Sequence, residues 1–142
     1  MKILASELKK LHGHAIAGYP FEVVGLLAGD AAAGRVTRVV PLLNERADSP
    51  RNRYVVSGLV VHRAEQALAE EGIALLGYYH SHPDHPARWS DYDRDHALPN
   101  MAYLIVAVRG ADQPAPTVHE TQVWRLLEDR SAMVALNFQE EE

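Results

Sequence analysis

The sequence contains no cysteine. That absence excludes disulfide stapling, a thiolate nucleophile and cysteine-liganded zinc together, so any metal must be held through nitrogen and oxygen. Basic charge is also scarce, with 14 Lys and Arg against 19 Asp and Glu and a formal net charge of -5. Without a basic field to gather phosphates, neither nucleic acid nor an acidic polymer is an expected partner. No apolar run approaches the ~18 residues of a membrane span. The opening "MKILASELKK" has a lysine but no apolar stretch of signal-peptide length, so the expectation is a cytoplasmic protein with no membrane partner. Internal repeats and linker-like segments are absent too.

What is present is material for one core. At 142 residues and 47% apolar composition, the chain suits a single domain over 1–142 and is too short for two. Ile3, Leu4, Leu8, Leu11, Ala15 and Ile16 recur at helical spacing, predicting a helix that stops before Gly18 and Pro20. "FEVVGLLAGD" and "RVTRVVPLL" read as strands joined by the turn "DAAAG", with "RYVVS" as a short third strand. Ser57 is placed to cap a helix reaching about Glu71, with Leu59, Val60, Ala64, Ala67 and Leu68 on one face and Gly72 beyond its end. "IALLGYYHSH" follows as a largely apolar strand, and the loop "PDHPARW" leads to Ser90, which caps a short helix "DYDRDHAL". "AYLIVAV", "TVHETQVWRLL" and "AMVALNF" close the chain as strands, and the tail from about residue 139, "QEEE", reads as frayed. This order predicts a mixed α/β domain of α+β layered type.

The chemistry gathers in "GYYHSHPDHPARWSDYDRDHA", residues 77 to 97, which holds four of the eight histidines. His80 and His82 stand at i and i+2 on a strand, so both imidazoles face one side of the sheet. Ser90 and Asp93 are three apart at a helix start and share a face. Asp93 is favoured over Asp91 and Asp95 because it lies on Ser90's face, and Asp84 is too close to His82 in the chain to close a comfortable ring around a metal. Two histidines and a carboxylate make an open zinc site, with ligand distances of ~2.0–2.2 Å and a fourth position for water. Bound zinc lowers the pKa of that water to about 7, and a hydrolase then also needs a base. Glu22 is the carboxylate in the apolar stretch "YPFEVVGLLAGD", where an acid has no packing reason to stand and partial burial would raise its pKa.

Glu22, the strand Gly25-Leu26-Leu27, then His80-Ser81-His82-Pro83 and Ser90-x-x-Asp93 together resemble the JAMM (MPN+, Mov34-type) metalloprotease signature. That signature is a distant glutamate followed by H-x-H-P-x(n)-S-x-x-D, and the element order matches over most of the chain. The resemblance implies a cytidine-deaminase-like JAMM/MPN domain, a mixed central sheet flanked by helices. It also implies one zinc per chain on His80, His82 and Asp93, with Glu22 as general acid/base and Ser90 donating to the tetrahedral oxyanion. Val24 departs from the pattern, since many members carry a cysteine there, but it touches no catalytic role.

Residues 23–79, the 57 between Glu22 and His80, leave little room for an added recognition element. The chain is similar to short prokaryotic-type members that process sulfur-carrier proteins. This implies a zinc metallopeptidase or isopeptidase cutting the amide after the C-terminal Gly-Gly of a ubiquitin-like, β-grasp sulfur carrier. It would release cysteine or a C-terminal extension, within cysteine biosynthesis. A deubiquitinase-like deconjugating isopeptidase and a non-catalytic MPN scaffold are the alternatives, although a scaffold would have lost ligands that this chain keeps. A zinc deaminase would need cysteine ligands, and none exist.

The remaining polar residues carry blander expectations. "HGH" at 12–14 lies on a predicted helix, where i and i+2 diverge by about 200°, and reads as surface. His85 reads as a loop histidine at the cleft rim, and His96 as at most a hydrogen-bonding supporter of a ligand. Trp89 reads as packing, Tyr78, Tyr79 and Tyr103 as core and sheet residues, and Arg88 as an exposed loop arginine, with a substrate carboxylate as the sharper alternative. A Gly-Gly tail could lie close to a metal and add as a strand at a sheet edge. The first helix's apolar side and the strand edges are surfaces available to a homodimer.

Overall fold

The computed structural model describes residues 1–44 and 56–142. Along the chain run β1 (Lys2–Leu4), α1 (Ala5–Gly18), β2 (Val24–Asp30), β3 (Arg35–Leu42), α2 (Gly58–Glu70), β4 (Ala74–Pro83), α3 (Asp91–His96), β5 (Ala102–Arg109), β6 (Thr117–Leu126), β7 (Met133–Leu136) and β8 (Gln139–Glu141). Most of the expected strand "RYVVS" lies outside the described residues. All the described strands share one mixed sheet in the order β7-β6-β5-β4-β2-β3-β1-β8. β2 runs antiparallel to β3 and β4, while β4 and β5 are parallel, which requires a crossover; α3 lies on it. No helix among the described residues is long and apolar enough to cross a membrane.

Alternation along β4 divides the molecule. Tyr79 points to the face that α1 covers, where Leu8, Leu11 and Ala15 pack with Leu27, Leu104, Val106 and Val123. α1's apolar stripe, a surface the sequence offered to a homodimer, is therefore buried against the sheet. Gly25 pairs with Tyr79 across the strands, and a Cβ at Gly25 would stand 2.2 Å from the tyrosine ring. Burial pushes the Tyr79 phenol well above its ordinary pKa, and its oxygen lies 2.8 Å from His14 Nδ1. His12 Nε2 lies 2.9 Å from Thr121 Oγ1. The two histidines do diverge, but the expected surface placement is corrected: each is half-buried and hydrogen-bonded to a different strand.

Both chain ends depart from expectation. Ile3 and Leu4, expected in the first helix, belong to β1, which pairs in parallel with β3 and β8. The tail expected to fray supplies β8: the Gln139 N–H donates to the Met1 carbonyl at 2.9 Å, and Glu141 meets Arg35 Nε at 2.7 Å and Lys2 Nζ at 3.7 Å. Acidic residues read as solvated here because their cationic partners are more than a hundred positions away in the chain. In α2 the expected face keeps Ala64 and Leu68, but Leu59, at 56% exposed, Val60, at 38%, and Ala67 turn outward and Val61 turns inward in their place.

Candidate metal centre

His80 and His82 occupy the last turns of β4 on the face away from α1, and both are buried. Their Nε2 atoms are 3.2 Å apart. Asp93 reaches both, with Oδ1 3.1 Å from His80 Nε2 and Oδ2 3.3 Å from His82 Nε2. Ser90 aims it there. The Ser90 N–H donates to Asp93 Oδ2 at 2.9 Å while the Asp93 N–H donates to Ser90 Oγ at 3.1 Å, a reciprocal cap that starts α3 and fixes the carboxylate together.

The intervening loop is fastened from below. His82 Nδ1 lies 2.8 Å from the Pro86 carbonyl, to which it can only donate, and this leaves the Nε2 lone pair facing the site. Ala87 is fully buried, and its carbonyl accepts from the Trp124 indole at 3.0 Å. Trp89 packs beside Trp124 against Ile105 and Ala107, as a packing residue should.

Glu22 approaches from the segment before β2, where it is buried, and its carboxylate comes within 4.8 Å of the nitrogens of both histidines. Its backbone is held on both sides of the sheet register. The Asn44 amide donates to the Glu22 carbonyl at 3.0 Å, the Val23 N–H donates to Ser81 Oγ at 2.9 Å, and the Ser81 N–H donates to the Val23 carbonyl at 3.1 Å. The sequence reading assigned no role to Ser81 beyond its place between the two histidines, and none to Asn44. A buried-strand serine between His80 and His82, pointing to the opposite face from both, was the available signal.

Burial lowers the His80 pKa, with the Asp93 charge opposing it. In His82 burial also pulls downward, but hydrogen bonds to Asp93 and Pro86 and the charges of Asp93 and Glu22 outweigh it, and the pKa rises. Burial alone would raise Asp93. The charge and hydrogen bond of His80, the bond to His82 and the Ser90 N–H instead hold its carboxyl far below the usual carboxylate range.

Two imidazole nitrogens and an anionic carboxylate form a donor set suited to a divalent cation such as zinc. Atoms at ~2.0–2.1 Å from one tetrahedral centre are ~3.3 Å apart. The observed separations of 3.1, 3.2 and 3.3 Å fit that requirement. Glu22, His82, Arg88, Ser90 and Asp93 line a cleft of about 360 Å³ in front of this cluster. Tyr92 borders both this cleft and an apolar hollow of about 390 Å³ lined by Val24, Leu42, Val61, Tyr78 and Tyr103.

The other polar residues of the stretch go elsewhere. Asp84 accepts from the Tyr19 hydroxyl at 2.5 Å and from the Gly110 and Ala111 N–H groups at 2.9 and 3.0 Å, which together lower its pKa to about 2. Asp91 and Asp95 are exposed beside Arg94. His85 is exposed at the cleft rim. His96 stacks on Tyr92, with Nδ1 2.8 Å from the Tyr92 carbonyl, rather than supporting a histidine of the cluster.

Comparison with known proteins shows the family and the fold. Residues 4–127 match the family model described as prokaryotic homologs of the JAB domain. A Thermus thermophilus relative named "Probable TtuB-protein conjugate cleaving protease" is 38% identical over 103 residues, covering 72% of this chain and 67% of its own. A Haloferax volcanii relative named "Desampylase" is 36% identical over 118 residues, covering 82% of this chain and 79% of its own. A JAB1/MPN domain protein from Archaeoglobus fulgidus superposes over all of both chains with a TM-score of 0.61 at 20% identity, a likeness of fold alone.

Proposed function

The chain belongs to the family of prokaryotic homologs of the JAB domain and is a JAMM-type peptidase, and from that premise we propose that it is a zinc isopeptidase of the cytoplasm. Its substrate is the amide bond after the C-terminal Gly-Gly of a ubiquitin-like, β-grasp modifier or sulfur carrier. The observation that carries the reading is the buried cluster of His80, His82 and Asp93 with the Glu22 carboxylate beside it, from which His82, Asp93 and Glu22 open on one cleft.

In this reading His80, His82 and Asp93 hold one zinc, which when bound polarises the scissile carbonyl and brings a water pKa near 7. Glu22 takes the proton of the attacking water and later delivers it to the leaving amine. Ser90 Oγ already accepts from the Asp93 N–H, and its own O–H serves as donor to the oxyanion, a contribution of ~3 kcal/mol to the barrier. Arg88 at the cleft mouth suits a carboxylate on the tail or leaving group. The apolar hollow beyond Tyr92 suits side chains preceding the glycine pair, while the glycines let the backbone lie close to the cluster.

The names of the relatives support protein conjugates of small modifiers as substrates. A carrier with a C-terminal cysteine adduct presents the same bond type. The test is to incubate the zinc-loaded protein with a β-grasp carrier ending in Gly-Gly, joined either to a lysine side chain of a second protein or to cysteine. Release is expected to require metal and to fall ~10²- to 10⁴-fold, to a small residual rate, in Glu22→Gln. Failure of the wild type to cleave either substrate overturns the reading, and binding without turnover would point to the scaffold alternative.

A further inference from the structure

Glu22 belongs to no strand or helix; it lies between the end of α1 at Gly18 and the start of β2 at Val24. A proton-transferring carboxylate on such a connection needs restraint, because a displacement of about 1 Å can cost ~100-fold in rate. Two clamps flank it, and both come from residues flanking His82. On one side the Ser81 side chain and backbone grip Val23. On the other, Asp84 holds Tyr19, three residues before Glu22.

The second clamp is built with more care than an exposed surface contact requires. Asp84 is exposed, yet its carboxylate gathers three donors from two distant segments, namely Tyr19 after α1 and Gly110 and Ala111 after β5. Its backbone sits at φ 57°, in the left-handed region that aspartate tolerates better than most side chains, and its N–H donates to the Val108 carbonyl at 2.7 Å. Gly110 leaves the space in which Tyr19 lies, since a Cβ there would stand 2.3 Å from the tyrosine ring. Tyr19, Asp84 and Gly110 thus form one latch between the segment that carries Glu22 and the strand end that carries His82.

We propose that Asp84 and Tyr19 are positioning residues that hold Glu22 in register with the metal cluster, without binding metal or substrate themselves. The catalytic consequence rests on the isopeptidase reading above, whereas the restraint on the Glu22 segment does not. Tyr19→Phe keeps the ring over Gly110 and removes only the O–H, and Asp84→Ala removes the acceptor for all three donors. Both variants are expected to keep one zinc per chain and an unchanged KM, with kcat falling ~10- to 100-fold. Hydrogen exchange at the Val23 amide should quicken in both variants, with or without substrate. In a Glu22→Gln background, Tyr19→Phe should lower the residual rate no further, because the latch acts through Glu22; an additive loss would indicate general loosening and overturn the proposal. Unchanged kcat and unchanged Val23 exchange would overturn it as well. If the wild type cleaves nothing, the isopeptidase reading fails while the exchange measurement still decides the latch.

Discussion

Ser90 and Asp93 bond each other twice, N–H to carboxylate at 2.9 Å and N–H to hydroxyl at 3.1 Å, so one pair both begins α3 and aims Asp93 at the two imidazoles. Structural and chemical roles of the serine can be separated by two substitutions. Ser90→Ala removes the cap, at a cost of about 1 kcal/mol, whereas glycine at the same position forfeits only a few tenths. Both remove the hydroxyl in the cleft, which should lower kcat by ~10²–10³. Thermal unfolding should therefore distinguish Ala from Gly, while steady-state kinetics should not. An active Ser90→Gly would reduce the serine to a cap.

Asp93 and Glu22 both lie near His80 and His82, and metal binding discriminates between them. If Asp93 is the ligand and Glu22 the base, wild type and Glu22→Gln each bind one zinc per chain, and His82→Ala and Asp93→Ala do not. Zinc at a hundredfold excess over its Kd should stabilise the first two by about 2.7 kcal/mol. Chelation should abolish both that shift and the activity, and zinc should restore them. Loss of the shift in Glu22→Gln would make Glu22 a ligand and leave the base unassigned.

The convergence of His80, His82, Ser90 and Asp93 was legible because it follows from local rules. The period of a strand puts 80 and 82 on one face, the pitch of a helix puts 90 and 93 on one face, and seven residues join the pairs. Glu22 was legible as a polar residue out of place. What stayed hidden depends on register between distant segments. Nothing near Ser81 announces Val23, nothing near Asp84 announces Gly110, and His14 finds Tyr79 only once α1 lies across the sheet. The same holds for β1 and β8, each three residues long and too short for periodicity to speak.

β8 offers a test with a defined pH signature. The hydrogen bond and charge of Arg35 lower the Glu141 pKa from its ordinary value. A depressed carboxylate contributes stability that is fully present above its unfolded pKa, about 4.3, and is lost as pH falls through the lower folded value. Arg35→Ala should therefore be less stable than wild type at neutral pH, and the two should converge in acid. Urea unfolding at neutral and acidic pH measures the difference. A gap that persists in acid would assign Arg35's contribution to packing along β3 instead of to Glu141.

Gly25→Ala tests whether the buried tyrosine behind the histidines governs them. The new Cβ would stand 2.2 to 2.4 Å from the ring and hydroxyl of Tyr79, inside a core where the ring is fully buried. Overpacking of this kind costs ~1–3 kcal/mol. A ring pushed aside would strain the β4 backbone at Tyr79, and the next residue on that strand is His80. Gly25→Ala should therefore lower the melting temperature and weaken zinc binding together, although Gly25 touches neither the cleft nor the metal cluster. Adding Tyr79→Leu vacates the ring's space, so the double variant should recover zinc binding relative to Gly25→Ala even if stability stays low. A Gly25→Ala protein that loses stability but binds zinc as the wild type does would show the two faces of β4 to be mechanically independent.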